Sequence, residues 1–136
     1  MRARAVNAAD RRTLTCSYPG QLRQIRLVRA TIALMLEDYP LADDAILIAS
    51  ELAANAVMHS NSAAPGGQFT VRAEACPGDY VRIEVDDQGG LWTPRGCKDD
   101  RPHGLDLIHA LAGTGNWGIH GDAERGRTAW ARLDWP

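Results

Sequence analysis

The sequence has no long hydrophobic run. Nothing in its 136 residues approaches the ~20 consecutive apolar positions of a membrane span. The opening MRARAVNAADRR is charged with no apolar stretch behind it, unlike a secretory signal. Cysteine is scarce: Cys16, Cys76 and Cys97 are odd in number, far apart and without a C-x-x-C pair, which argues against a zinc site or a disulfide framework. Reduced thiols in a cytoplasmic protein are the expectation. Charge of one sign is also lacking. Fifteen Lys and Arg against seventeen Asp and Glu leave a net charge of −2, so no basic balance points to nucleic acid as a partner. There is no internal repeat and no low-complexity tract. What remains, 45% hydrophobic and 24% charged, is ordinary for one globular domain of a size that buries its own core.

Residues 1–10 read as a flexible lead-in and 11–136 as a single domain. RRTLTCSY reads as a strand closed by Pro19-Gly20. In QLRQIRLVRATIALMLED, Leu22, Ile25, Val28, Ile32 and Met35 or Leu36 recur at helical spacing, with Arg23, Arg26 and Arg29 on the opposite side and Pro40 as the stop. Those arginines suit either an acidic partner or a solvated face. Asp43 and Asp44 stand where an N-cap and a first-turn acid belong, ahead of a helix through AILIASELAANAVMHS. SNSAAPGG reads as a loop. The period then changes to two: Phe69, Val71 and Ala73, a Cys-Pro-Gly-Asp turn, then Val81, Ile83 and Val85, an antiparallel hairpin with one buried face. A long Gly- and Pro-rich loop leads to HGLDLIHALAG, a short helix with Leu105, Ile108 and Leu111 or Ala112 inside. Asn116 to His120 and Arg127 to Leu133 close the chain as a hairpin joined by GDAERG. Helices and antiparallel strands segregate, which predicts an α+β two-layer sandwich. Of the four tryptophans, Trp135 next to the C-terminal Pro136 either packs on the sheet or marks a contact surface.

Four stretches carry residues suited to chemistry. Glu51, Asn55 and His59 fall at successive i, i+4 positions of the second helix. An amide oxygen suits a hard cation such as Mg²⁺, and a carboxylate one turn away can orient or deprotonate a nucleophile. The same spacing is also that of a plain solvated face. Asp87 continues the inward parity of Val81, Ile83 and Val85, and a buried carboxylate needs a donor such as an adenine amino group. Gly89 and Gly90 behind it allow close backbone approach, although an Asp-rich turn after a strand has the same composition. Gly104 opens a helix whose free N–H groups suit phosphate. Gly126-Arg127-Thr128 begins the last strand.

In this order the stretches resemble the GHKL ATPases of the Bergerat fold, and most closely the small anti-sigma-factor serine kinases and actinobacterial histidine-kinase-like ATP-binding proteins. ELAANAVMHS is similar to their N box, DDQGG with Pro94 to the first glycine box, HGLDLIHALA to the second and GRTAWARL to the closing Thr segment. The resemblance covers roughly residues 11 to 133. It implies a mixed, largely antiparallel sheet covered on one face by helices, and ATP with Mg²⁺ as cofactors. Asn55 would ligate Mg²⁺ and Glu51 would be the catalytic acid residue. Asp87 would read the adenine amino group above Gly89. Gly104, followed by Leu105, would lie against the phosphates, and Thr128 would join the adenine-side network. Residues 95–103 would form a short lid, with Arg95, Lys98 and Arg101 as candidates for phosphate contact. His59 would anchor the helix end. The implied function is a serine/threonine protein kinase that acts on an anti-sigma-factor antagonist and sequesters a sigma factor. The partners are therefore proteins, and a homodimer is also implied. The match departs at Pro102, where the family usually has glycine; proline brings no N–H and fixes its own φ. That departure suits the alternative of a nucleotide-gated or non-catalytic protein-binding module.

Overall fold

The computed structural model describes residues 10–90 and 104–136. The lead-in, and the lid stretch with Arg95, Lys98, Arg101 and Pro102, lie outside the described residues, as do Trp92, Pro94 and Cys97.

Strand β1 (Arg12–Pro19) is followed by a 3-10 turn (Leu22–Gln24), helix α1 (Ile25–Met35) and helix α2 (Ala42–His59). Strands β2 (Gln68–Cys76) and β3 (Tyr80–Asp86), helix α3 (Leu105–Ala112), and strands β4 (Trp117–Asp122) and β5 (Gly126–Asp134) complete the order. One five-stranded sheet runs β1-β2-β3-β5-β4. Every described pairing is antiparallel, which is the purely antiparallel case of the expected largely antiparallel sheet.

The inward side of the sheet follows the period of two. Val71, Ala73 and Ala75 pair with Val85, Ile83 and Val81 across the β2–β3 ladder, and these residues and Phe69 are all nearly without exposure. Their turn has Pro77 and Gly78 in the middle, with Gly78 at φ 83 and the Asp79 amide donating to the Cys76 carbonyl at 2.9 Å. Pro then Gly is what a type II turn requires. Helix α2 lies across this face and is buried on most sides, through Ala45, Ile48, Ala49, Leu52, Ala53 and Ala56. Its small residues allow both the sheet and the neighbouring helices to approach. Helix α1 adds Val28 and Ile32, its C-cap adds Leu36, and α3 adds Ile108.

Four local expectations need correction. Leu22 is 53% exposed, because it sits on the 3-10 turn and not on the continuing α-helical stripe. Helix α1 ends at Met35, ahead of Pro40; Asp38 adopts φ 69 and breaks the helix before the proline is reached. The residue at the N-cap of α2 is Leu41, and both Asp43 and Asp44 fall in the first turn, where their charge favours the positive helix end. The last hairpin is tighter than GDAERG. Its strands run on to Asp122 and Gly126, and the Asp122 carboxylate accepts the amides of Glu124 and Arg125 at 2.9 and 2.6 Å.

The outer side of the sheet carries charge. Arg72 pairs with Glu84 and Asp86 at 2.8 Å each, Arg82 lies 4.2 Å from the Trp130 ring centre, and Arg132 lies 4.3 Å from that of Tyr80. This face is polar, and the helices cover the other side only. The concavity it forms is lined by Thr13, Thr15, Arg72, Glu74, Arg82 and Glu84; Glu84 pairs with Arg72 and Arg82, and Glu74 accepts from Tyr80. Trp135 packs at the rim, its ring 5.4 Å from Tyr39 in an edge arrangement, which settles it as a packing residue.

Candidate functional site

Helix α2 presents Glu51, Asn55 and His59 along one stripe, and the stripe is not a solvated face. Asn55 and His59 are each 2% exposed, and Glu51 is half-buried. The Asn55 amide is the informative group. Neither its oxygen nor its nitrogen has a hydrogen-bond partner among the described residues. A buried amide left without partners is costly, by roughly 1–3 kcal/mol, and calls for an ion, a water or a ligand. Its oxygen is a hard donor of the kind Mg²⁺ takes. No group of three His, Cys, Asp or Glu side chains converges among the described residues. A cation held at Asn55 would therefore need oxygens from a bound phosphate and water.

Glu51 meets the start of α3. A Cβ added to Gly104 would lie 2.3 Å from Glu51 Oε2. Gly104 also has φ 83, in the left-handed region. The left-handed backbone favours glycine there, and a larger residue would also displace the Glu51 carboxylate. The effect is to bring the carboxylate of α2 against the N-terminal end of α3, where Leu105 begins the helix. Gly104, distant in sequence, is thus brought against the helix turn that carries Glu51, one turn from Asn55.

Asp87 leaves β3 on the inward parity, as its alternation with Val85 requires. Its Oδ1 accepts the Gly89 amide at 2.7 Å and the Arg127 amide at 3.1 Å. Burial pushes its carboxyl above the usual aspartate range, against the lowering by those two amides and by the Arg127 charge. Gly89 and Gly90 have φ 77 and 88. Their tight neighbours are protein. A Cβ on Gly89 would lie 2.3 Å from the Ala123 carbonyl oxygen, and one on Gly90 would lie 2.4 Å from the Asn61 side chain.

Thr128 falls elsewhere. It stands opposite Asp86 in the β3–β5 ladder and donates to Asp86 Oδ1 at 2.6 Å, on the same outer side as Arg72. Ala129 and Ala131 take the inward parity, so Thr128 alternates outward. Arg127 occupies the Asp87 side instead. Its guanidinium donates to the Gly90 carbonyl at 2.7 Å, and its backbone exchanges bonds with Asp87, whose amide donates to the Arg127 carbonyl at 2.8 Å.

Sequence reading passed over two residues besides Arg127. Ser62 is fully buried, and its Oγ accepts the Gln88 amide at 3.1 Å. The Asn61 amide donates to the Gly89 carbonyl at 2.8 Å. The segment after α2 therefore clamps the Gln88–Gly90 turn. The only sequence signal was Ser-Asn-Ser directly after a helix, a composition that makes local backbone caps; Ser60 indeed accepts the Ser62 amide at 3.0 Å.

No curated protein matches this sequence. Among solved structures, the RsbU and RsbW domains of Rv1364c from Mycobacterium tuberculosis have a similar fold, with TM-score 0.69 and 24% identity over 92% of this chain. The alignment spans 33% of that longer chain. The family model described as the histidine kinase-like ATPase domain matches residues 18–122, from the end of β1 to the end of β4 and through Glu51, Asn55, Asp87 and Gly104. The chain belongs to the histidine kinase-like ATPase domain family.

Proposed function

We propose that this protein binds Mg²⁺-ATP between α2 and the start of α3 and acts as a regulatory serine/threonine protein kinase on an anti-sigma-factor antagonist, while sequestering a sigma factor. The buried Asn55 amide, unsatisfied among the described residues and one turn from Glu51, carries this reading. Mg²⁺, when bound, neutralises charge on the phosphates. Asn55 offers it one oxygen. Glu51, half-buried beside Gly104, accepts the proton of the attacking hydroxyl. The amides that open α3 face the phosphates, where the helix end favours negative charge. Asp87 accepts the adenine amino group; its two backbone donors hold the carboxylate in place for that contact. The fold is similar to that of the RsbU and RsbW domains of Rv1364c. A soluble, cytoplasmic setting is part of the same proposal; no described helix is long and apolar enough to cross a membrane.

Pro102 favours a second reading, a nucleotide-gated module that captures its partner without phosphorylating it. One experiment separates the two: incubation with γ-labelled ATP, Mg²⁺ and an antagonist protein. Label on an antagonist serine, lost in Glu51→Gln, supports the kinase. A complex without label supports the module. Calorimetry with ATP tests the site beneath both. Binding that weakens at least tenfold in Asp87→Asn, and loses its Mg²⁺ dependence in Asn55→Ala, is the expected result. No binding at millimolar nucleotide overturns both nucleotide readings.

A further inference from the structure

Arg127 stands on an inward strand position. The next residues of β5 on the same parity are Ala129, Ala131 and Leu133, all buried in the core. A charged side chain at the head of such a series needs partners. Its backbone is already committed to Asp87. The Arg127 amide donates to Asp87 Oδ1 at 3.1 Å, and the Asp87 amide donates to the Arg127 carbonyl at 2.8 Å. Gly126 permits this approach: a Cβ there would lie 2.6 Å from the Asp87 carbonyl oxygen.

The guanidinium goes to the other half of the same turn. It donates to the Gly90 carbonyl at 2.7 Å. The other groups that hold this turn from outside are neutral. The Ser62 hydroxyl accepts the Gln88 amide, the Asn61 amide donates to the Gly89 carbonyl, and the Ala123 carbonyl accepts the Gly90 amide. A bond from an ionised donor is roughly twice as strong as a neutral one. One residue therefore fixes Asp87 through its main chain and Gly90 through its side chain. Its charge also acts on the carboxylate. Arg127 favours the ionised form of Asp87, whereas burial and the neighbouring Asp86 oppose it.

We propose that Arg127 is a positioning residue of the nucleotide site, one that sets the Asp87 carboxylate and the Gly89–Gly90 turn as a single piece for the adenine ring. The proposal rests on Asp87 accepting the adenine amino group, as proposed above. Arg127 acts through Asp87 and Gly90 and not by its own contact with the nucleotide.

Two variants separate its charge from its hydrogen bond. Arg127→Gln keeps an amide donor and loses the charge. Arg127→Lys keeps the charge and loses the planar fork. The position is half-buried at a strand end, and circular dichroism and melting check that both variants fold. Calorimetry of the full chain with Mg²⁺-ATP, from about pH 5 to 8, tests the proposal. Asp87 accepts the amino group only as a carboxylate, so affinity falls as pH drops through its titration. Without the Arg127 charge the carboxylate is less favoured, and the fall comes at higher pH. Arg127→Gln should bind about fivefold or more weakly near neutral pH and lose affinity at a higher pH than the wild type. Arg127→Lys should keep the wild-type pH profile. Titration of the ATP phosphates is common to all three proteins and cancels in the comparison. On an Asp87→Asn background, Arg127→Gln should cost less than on the wild type, because the group it acts through is changed. A wild type that does not bind ATP overturns the nucleotide reading and this role with it. A wild type that binds, with an Arg127→Gln profile that does not move, overturns the role of Arg127 alone. An Arg127→Lys profile that moves with that of Arg127→Gln, or equal costs on the two backgrounds, does the same.

Discussion

Asn55 and Asp87 hold the same tension in different forms. Each is a polar group in a place that folding alone would fill with something apolar or neutral. The Asn55 amide is buried without partners among the described residues, so Asn55→Leu, of similar volume, should raise the unfolding free energy of the ligand-free protein by roughly 1–3 kcal/mol while removing Mg²⁺-dependent nucleotide binding. Urea unfolding beside calorimetry checks both halves. Asp87 titrates above the ordinary aspartate value because burial disfavours its charge. The folded state therefore takes up this proton before the unfolded chain does. The penalty for the carboxylate is present above the raised value and is relieved as pH falls through it. Asp87→Asn keeps an oxygen for the Gly89 and Arg127 amides. It should be more stable than the wild type at neutral pH, with the advantage shrinking as pH falls toward the ordinary aspartate range. Denaturation curves at several pH values read this out. Ser62 is the opposite case, a buried hydroxyl whose oxygen accepts the Gln88 amide. Ser62→Ala leaves the Gln88 amide without its acceptor and should lower the unfolding free energy by about 1–3 kcal/mol in the same assay.

At the scale of elements, the site depends on three junctions. The end of α2 runs into Ser60–Ser62, which holds the turn after β3. That turn is pinned from the other side by the β4–β5 hairpin, through the Gly90 amide donating to the Ala123 carbonyl at 2.8 Å. The start of α3 is fitted against Glu51 through Gly104. Gly104→Ala would force a Cβ into both a left-handed backbone and the Glu51 carboxylate. The expected result is a loss of roughly 1–3 kcal/mol in stability from the strained conformation, with nucleotide affinity falling further than stability because α3 shifts away from α2. Thermal melting and calorimetry on the same sample separate the two. Elements themselves were largely legible in the sequence. The helical spacing of Val28, Ile32 and Leu36 and the alternation of Val81, Ile83 and Val85 are local signals, and both buried as read. Ends were less legible. Asp38 broke α1 before Pro40, and the β4–β5 strands outran their turn residues, because ends are decided by particular backbone angles and side-chain bonds, such as Asp122 on the Glu124 and Arg125 amides, that composition does not give.

At the scale of the whole molecule, a nucleotide bound as proposed would bridge α2, α3 and the turn after β3 and so couple its binding to stability. At a ligand concentration one hundred times Kd, linkage adds about 2.7 kcal/mol to the unfolding free energy. ATP with Mg²⁺ should therefore raise the melting temperature of the wild type, and Asp87→Asn should show little or no rise at the same concentration. Scanning calorimetry with and without nucleotide checks this. By itself the sequence determined the succession of elements, the two-layer arrangement and the presence of Glu51, Asn55, Asp87 and Gly104, because periodicity and motif spacing are properties of neighbours along the chain. Only the tertiary structure decided that Asn55 and His59 are buried, that Glu51 meets Gly104, and that Arg127 and not Thr128 lies beside Asp87. A helix stripe has no inside until another layer covers it. A strand residue gains its side only from the register that pairs Asp86 with Thr128 and so turns Asp87 toward the helices.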